Sequence, residues 1–83
     1  MTFIISDDNK HKWYNKVLHT IFEENYENVY RLALWVTSDP EMAKDATQEA
    51  FIRAYLYIDR LEDKEKFSSW IKSITVNVCK DML

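Results

Sequence analysis

Glycine is absent from this sequence and proline occurs once, at position 40. Without glycine the chain lacks the residue that supplies positive-φ turns, two-residue hairpins and loops that let backbone N–H groups cradle a phosphate. Dinucleotide-binding and P-loop folds, whose fingerprints are glycine-rich, are thereby excluded. Strands need such turns between them, whereas helices can be joined by short polar loops, so the absence points to an all-α fold. Cysteine is nearly as scarce. Cys79 stands alone, so no internal disulfide can form, and with no signal peptide the expected compartment is a reducing cytoplasm. Long apolar runs are missing too: Phe3-Ile4-Ile5 is followed by Asp7 and Asp8, which makes it neither a secretion signal nor a membrane span. No membrane partner is expected.

Positive charge is also in deficit, with 11 Lys and Arg against 14 Asp and Glu and a net charge of −3. Tight, sequence-indifferent binding to duplex DNA comes mainly from neutralising phosphates, so any role on DNA would need help from a partner. The imbalance is local. Glu23 to Glu49 is acidic, with Arg31 and Lys44 as its basic residues, whereas the segment after it mixes both signs. That pattern fits two surfaces with different partners, or a mixed solvated surface.

What is present is helical periodicity. The 83 residues, 47% of them hydrophobic, suit one small domain. Residues 1–12 show no clear period and read as a frayed lead-in, and the domain is expected over 13–83. From Trp13, the residues Leu18, Phe22, Val29, Ala33 and Val36 line one face, with Ile21, Tyr30 and Leu34 beside them, which predicts a first helix ending near Thr37. Ser38-Asp39-Pro40-Glu41 stops it and starts the next, with Asp39 as the N-cap and Pro40 at the first helical position. The second helix carries Met42, Ala43, Ala46, Ala50, Ala54 and Ile58, and its alanines permit close approach to a neighbour. A polar turn, Asp59 to Lys66, follows. A third helix then carries Phe67, Ile71, Ile74, Val78 and Met82 and runs to Leu83 without a stop signal, so a downstream part is expected. A short extra helix is expected before Trp13 or at the turn.

Two stretches carry the functional reading: DATQEAFIRAY (Asp45 to Tyr55) and FSSWIKSITVN (Phe67 to Asn77). With the VYRLAL and SDPEMAKD segments before them, they resemble region 2 of the sigma-70 family, in particular its extracytoplasmic-function (ECF) group. The likeness runs from about Phe22 to the C-terminus and rests on order, spacing and aromatic positions rather than on one short word. It implies a three-to-four-helix bundle whose second helix docks on the beta-prime coiled coil of core RNA polymerase. Asp45, Gln48 and Glu49 match the family's polar contact positions, and their i, i+3, i+4 spacing puts all three on one helical face. Ile52 would add an apolar contact and Arg53 a polar one. On an arbitrary helix the same residues would be a solvated face.

The third helix resembles the part that recognises and opens the promoter's minus-ten element. Unstacked bases of the melted non-template strand can be captured by stacking and by hydrogen bonds to their edges. Asn77 matches a family position facing DNA, and an amide can both donate to and accept from a base edge. Lys72 and Lys80 would meet phosphates, Ser68, Ser69 and Ser73 would add hydrogen bonds, and Arg60 and Lys64 of the turn are further candidate DNA contacts. Trp70 lies off the apolar stripe and would support the DNA face from the margin of the core, to which Phe67 belongs. The turn departs from the common family pattern by lacking glycine and by holding four acids among its eight residues.

The remaining residues read as structural. His11 and His19 offer no zinc-site spacing, so no metal or cofactor is expected. Glu23, Glu24 and Glu27 lack an accompanying nucleophile, histidine or glycine loop, and read as a solvated face rather than as an active site. Cys79 reads as a small buried hydrophobe, and Tyr55 and Tyr57 as packing rings. The expectation is thus a non-enzymatic domain, with the family's C-terminal helix-turn-helix domain not encoded. A rival keeps the fold as an interaction module that binds polymerase or an anti-sigma protein without melting DNA. A small helical enzyme is the second rival.

Overall fold

A computed structural model describes the backbone from residue 8 to residue 83, with the side chains of residue 16 and residues 18–83. Its elements are α1 (Asp8–Thr37), α2 (Pro40–Tyr57), two single 3-10 turns (Ile58–Arg60 and Lys64–Lys66) and α3 (Phe67–Met82), each helix packing on the other two. This is the expected all-α bundle. The first helix begins more than a turn ahead of Trp13, since the sequence between Asp8 and Trp13 contains no helix breaker. The earlier part of the expected lead-in lies outside the described residues. The extra helical turns fall in the polar segment.

The junction between α1 and α2 follows its sequence. Asp39, in extended conformation, accepts hydrogen bonds from the backbone N–H groups of Glu41 (2.9 Å) and Met42 (3.3 Å), capping α2 ahead of Pro40. Thr37 closes α1 from inside: its hydroxyl donates to the Ala33 carbonyl at 2.9 Å and accepts from the Asp39 N–H at 3.3 Å. Ser38 between them has φ 57°. That is the left-handed conformation in which glycine usually ends a helix, and here a residue with a Cβ occupies it.

The core is a narrow line on each helix. Leu18, Val29 and Ala33 of α1 meet Ala43, Ala46, Ala50 and Ala54 of α2, Ile58, and Phe67, Ile71, Val78 and Cys79 of α3, all buried. Ile21, Phe22, Tyr30, Leu34, Val36 and Trp70 pack around it, half-buried. Two corrections to the predicted stripes arise in α2 and α3. Thr47 and Thr75 are fully buried, each hydroxyl donating at 2.7 Å to a carbonyl one turn back, Ala43 and Ile71, which leaves the methyl to pack. Met82, placed on the stripe by its spacing, is instead 37% exposed beyond the last packed turn. Cys79 is buried as expected, and burial pushes its thiol pKa up.

A row of rings crosses the bundle. Tyr26 stacks on Phe51 at 5.7 Å, Phe51 lies 4.9 Å from Phe22, Phe22 stacks on Phe67 at 5.6 Å, and Phe67 tilts against Trp70 at 5.7 Å. These separations suit offset and tilted aromatic pairs, and the row joins all three helices. Tyr55 and Tyr57 do not join it. Both are exposed, and Tyr57 carries the Arg60 guanidinium over its ring at 4.7 Å.

The strained link gives a direct check. Left-handed geometry costs a residue with a Cβ about 1–2 kcal/mol, part of which glycine would return as unfolded-state entropy. Ser38→Gly should therefore raise the unfolding free energy by about 0.5–1 kcal/mol in a urea melt. A lower midpoint in the variant would contradict the φ assigned to this residue.

Candidate core-binding and nucleic-acid surfaces

The surfaces follow from the core. With about 100° between successive residues of a helix, the buried line Ala43, Ala46, Thr47, Ala50 and Ala54 forces Asp45 and Ile52 to the opposite side of α2. Gln48 falls on the flank toward α1, and Glu49 and Arg53 on the flank toward α3. Asp45 and Gln48 are exposed, Glu49 is half-buried, and Ile52 is 54% exposed. Ile52 therefore lies in solvent on the same side of α2 as Asp45 and apart from the core.

The two flanks differ. On the α3 side, the Nε of Arg53 donates to the Glu49 carboxylate at 2.9 Å, and its Nη1 lies 3.9 Å from the Asp81 carboxylate near the end of α3. On the α1 side, Gln48 forms part of the wall of an apolar groove of about 280 Å³, floored by Phe22, Tyr26 and Phe51 and rimmed by His19 and Glu23. His19 approaches Glu23 at 3.3 Å. Reading the sequence by its stripes missed this groove, because Tyr26 and Phe51 sit beside the stripes. Their aromatic type was the signal available.

The polar turn finds its path without glycine. Leu61 anchors it by packing on the core, its N–H donating to the Ile58 carbonyl at 3.0 Å. Asp63 then caps the second short turn through the Glu65 N–H at 3.0 Å. Two cations expected to contact DNA are held locally: Arg60 over Tyr57, and Lys64 with its ammonium donating to the Leu61 carbonyl at 2.7 Å.

On α3, Lys72, Asn77 and Lys80 are exposed. Lys72, Ser73, Val76 and Asn77 line a shallow hollow that brings an ammonium, an amide and an aliphatic group together. Val76 is the member that periodicity did not single out. The hydroxyls of Ser69 and Ser73 donate to carbonyls of their own segment, Lys66 at 3.1 Å and Ser69 at 3.3 Å, so they present acceptor lone pairs outward. Ser68 and Trp70 are half-buried, and Trp70 sits at the margin of the core against Phe67. Gln48 and Asn77 thus both face solvent, on different helices.

Among the described residues no group of three or more His, Cys, Asp or Glu is placed to hold a metal ion, and no helix is long and apolar enough to cross a membrane. His11 has its side chain outside the described set.

Comparison with known proteins gives one family. Residues 21–83 match the family described as Sigma-70 region 2. The ECF RNA polymerase sigma factor SigW of Bacillus subtilis is 37% identical over 57 residues, which are 69% of this chain and 30% of that protein. The ECF RNA polymerase sigma factor SigM of the same organism is 34% identical over 61 residues, 74% of this chain and 37% of that protein. The ECF RNA polymerase sigma factor SigE of Mycolicibacterium smegmatis is 32% identical over 63 residues, 76% of this chain and 24% of that protein. The chain therefore spans well under half the length of these relatives. No solved structure matches it. A glycine-free three-helix bundle with this order of motifs and these relatives belongs to the sigma-70 region 2 family, in its ECF group.

Proposed function

We propose that the chain works as the core-binding and promoter-melting domain of an ECF sigma factor. It docks through α2 on the beta-prime coiled coil of core RNA polymerase, and through α3 and the preceding turn it recognises and melts the minus-ten element, holding the non-template strand. The observation that carries this reading is the outward presentation of Asp45, Gln48, Glu49 and Ile52 on one helix and of Lys72, Asn77 and Lys80 on another. One rigid body can then hold an enzyme and a nucleic-acid strand at the same time.

The dock is anionic with an aliphatic centre, which suits a helical partner offering cations around an apolar side chain. Arg53 stands beside it, bonded to the Glu49 carboxylate. The net charge of −3 makes the DNA surface dependent on that dock, since delivery by polymerase replaces the phosphate attraction the domain lacks. Once there, Asn77 reads a base edge, Trp70 supports that surface from the margin of the core, and Lys72 and Lys80 approach phosphates while Ser69 and Ser73 accept hydrogen bonds, with Arg60 and Lys64 as further DNA contacts in the preceding turn. No cofactor or metal takes part. RNA synthesis belongs to the polymerase, in the cytoplasm, and this domain catalyses nothing. An anti-sigma protein covering the dock would silence it.

A second reading has an observation in its favour. Four acids in the turn, and serine hydroxyls engaged with their own backbone, suit a module that binds polymerase or an anti-sigma protein without opening DNA.

Two substitutions separate these readings. Glu49→Lys places a cation where the partner expects an acid, and should weaken binding to core polymerase by about tenfold or more with the helix content unchanged. Equal affinity in a pull-down or fluorescence titration would remove the dock. Asn77→Ala deletes a base-edge contact of about 1–3 kcal/mol. It should slow open-complex formation, followed by permanganate reactivity of unpaired thymines, without moving the melting temperature. Unimpaired opening would favour the second reading.

A further inference from the structure

Four ion pairs join described side chains, and three of them are i, i+4 pairs inside one helix: His19–Glu23, Glu27–Arg31 and Glu49–Arg53. The fourth, Arg53–Asp81, is the one among them that crosses between helices. Arg53 is common to the last two. Its guanidinium therefore has one N–H on the carboxylate of the dock and another edge toward the end of the helix that carries Asn77 one turn earlier.

A single arginine between two carboxylates on a half-exposed surface adds little to stability, because solvent screens it and ordering its chain costs entropy. Its geometric effect is larger. A glutamate has three side-chain torsions, and a carboxylate waiting for a partner samples many orientations, each of which must be given up on binding. The 2.9 Å bond from Nε fixes where the Glu49 carboxylate points before any partner arrives. Asp81, 3.9 Å away at the far edge and largely exposed, adds an electrostatic pull that biases the guanidinium toward this orientation. The planar fork is needed for this, because a lysine ammonium is a point charge that cannot face two carboxylates on opposite edges.

We infer that Arg53 is a positioning residue rather than a contact of the dock: anchored by Asp81 of α3, it preorganises Glu49 for the polymerase. The inference rests on the reading of the α2 face as the dock and assigns the regulation of that face to an ion-pair relay from the DNA-facing helix. Loss of the relay leaves Glu49 present but free to turn, so affinity should fall through Glu49 and through no other residue.

A mutant cycle on the whole chain, binding purified core RNA polymerase, tests this. Arg53→Gln should weaken binding about fivefold, and Asp81→Asn about twofold, the sizes expected for one side chain losing its preset orientation. Both losses should vanish in a Glu49→Gln background, and Arg53→Lys should recover only part of the affinity. A loss from Arg53→Gln that persists undiminished in Glu49→Gln would make Arg53 a direct contact and overturn the inference. So would a parent-like affinity of Arg53→Gln while Glu49→Gln binds poorly. If Glu49→Gln itself binds like the parent, the dock reading fails, and the cycle shows that separately. NMR of the Arg53 Nε–Hε group provides a readout without polymerase: its resonance should shift in Glu49→Gln and Asp81→Asn, and an unmoved signal in both would show that no relay exists.

Discussion

Four alanines set the spacing on which the rest of this domain depends. Ala43, Ala46, Ala50 and Ala54 are completely buried, and none can reach across a gap, so α1 and α3 must approach the backbone of α2 itself. Larger residues fill the space around that seam: Val29 from α1 and Phe67, Ile71 and Val78 from α3. Every larger side chain placed on the seam would have to push the helices apart, and overpacking of that kind typically costs about 1–3 kcal/mol. The same seam orients the surfaces. Once one side of α2 is committed to alanine and Thr47, its other side has no choice but to carry Asp45, Gln48 and Ile52 into solvent.

Polar groups are handled with equal economy. Among the described residues, every buried side-chain nitrogen or oxygen has a hydrogen-bond partner. The buried threonines close onto their own helix, and among the described residues Arg53–Asp81 is an ion pair that joins two helices. The row of rings from Tyr26 to Trp70 adds a stiff element across this apolar interior. One end of it floors the groove beside Gln48, and the other supports the helix that bears Asn77. The outer faces of α2 and α3 are therefore held by one continuous packing rather than by two separate cores.

Much of this was legible in the residues. Asp39-Pro40 marked the helix junction because a carboxylate cap and a fixed φ act locally, and the alanine and isoleucine periods marked the core for the same reason. Membership of the sigma-70 family was legible because the motifs DATQEAFIRAY and FSSWIKSITVN hold their order and spacing. What escaped was non-local or ambiguous in type. Thr47 and Thr75 were passed over because a hydroxyl counts as polar until a carbonyl one turn back accepts its proton. Spacing puts Met82 on the stripe because periodicity cannot see where the neighbouring helix ends. The left-handed Ser38 had no glycine to announce it. The meeting of Arg53 with Asp81, on different helices, lies beyond any spacing rule.

On the proposed reading, two helices of one small bundle serve two macromolecules at once. Photocrosslinking amino acids placed singly at Gln48 and at Asn77, in the chain assembled with core polymerase on promoter DNA, test that division most directly. The account predicts that the probe at Gln48 joins to the beta-prime subunit and the probe at Asn77 to the non-template strand of the minus-ten element. Crosslinks from both positions to the same partner, or none from Asn77 to DNA, would contradict it.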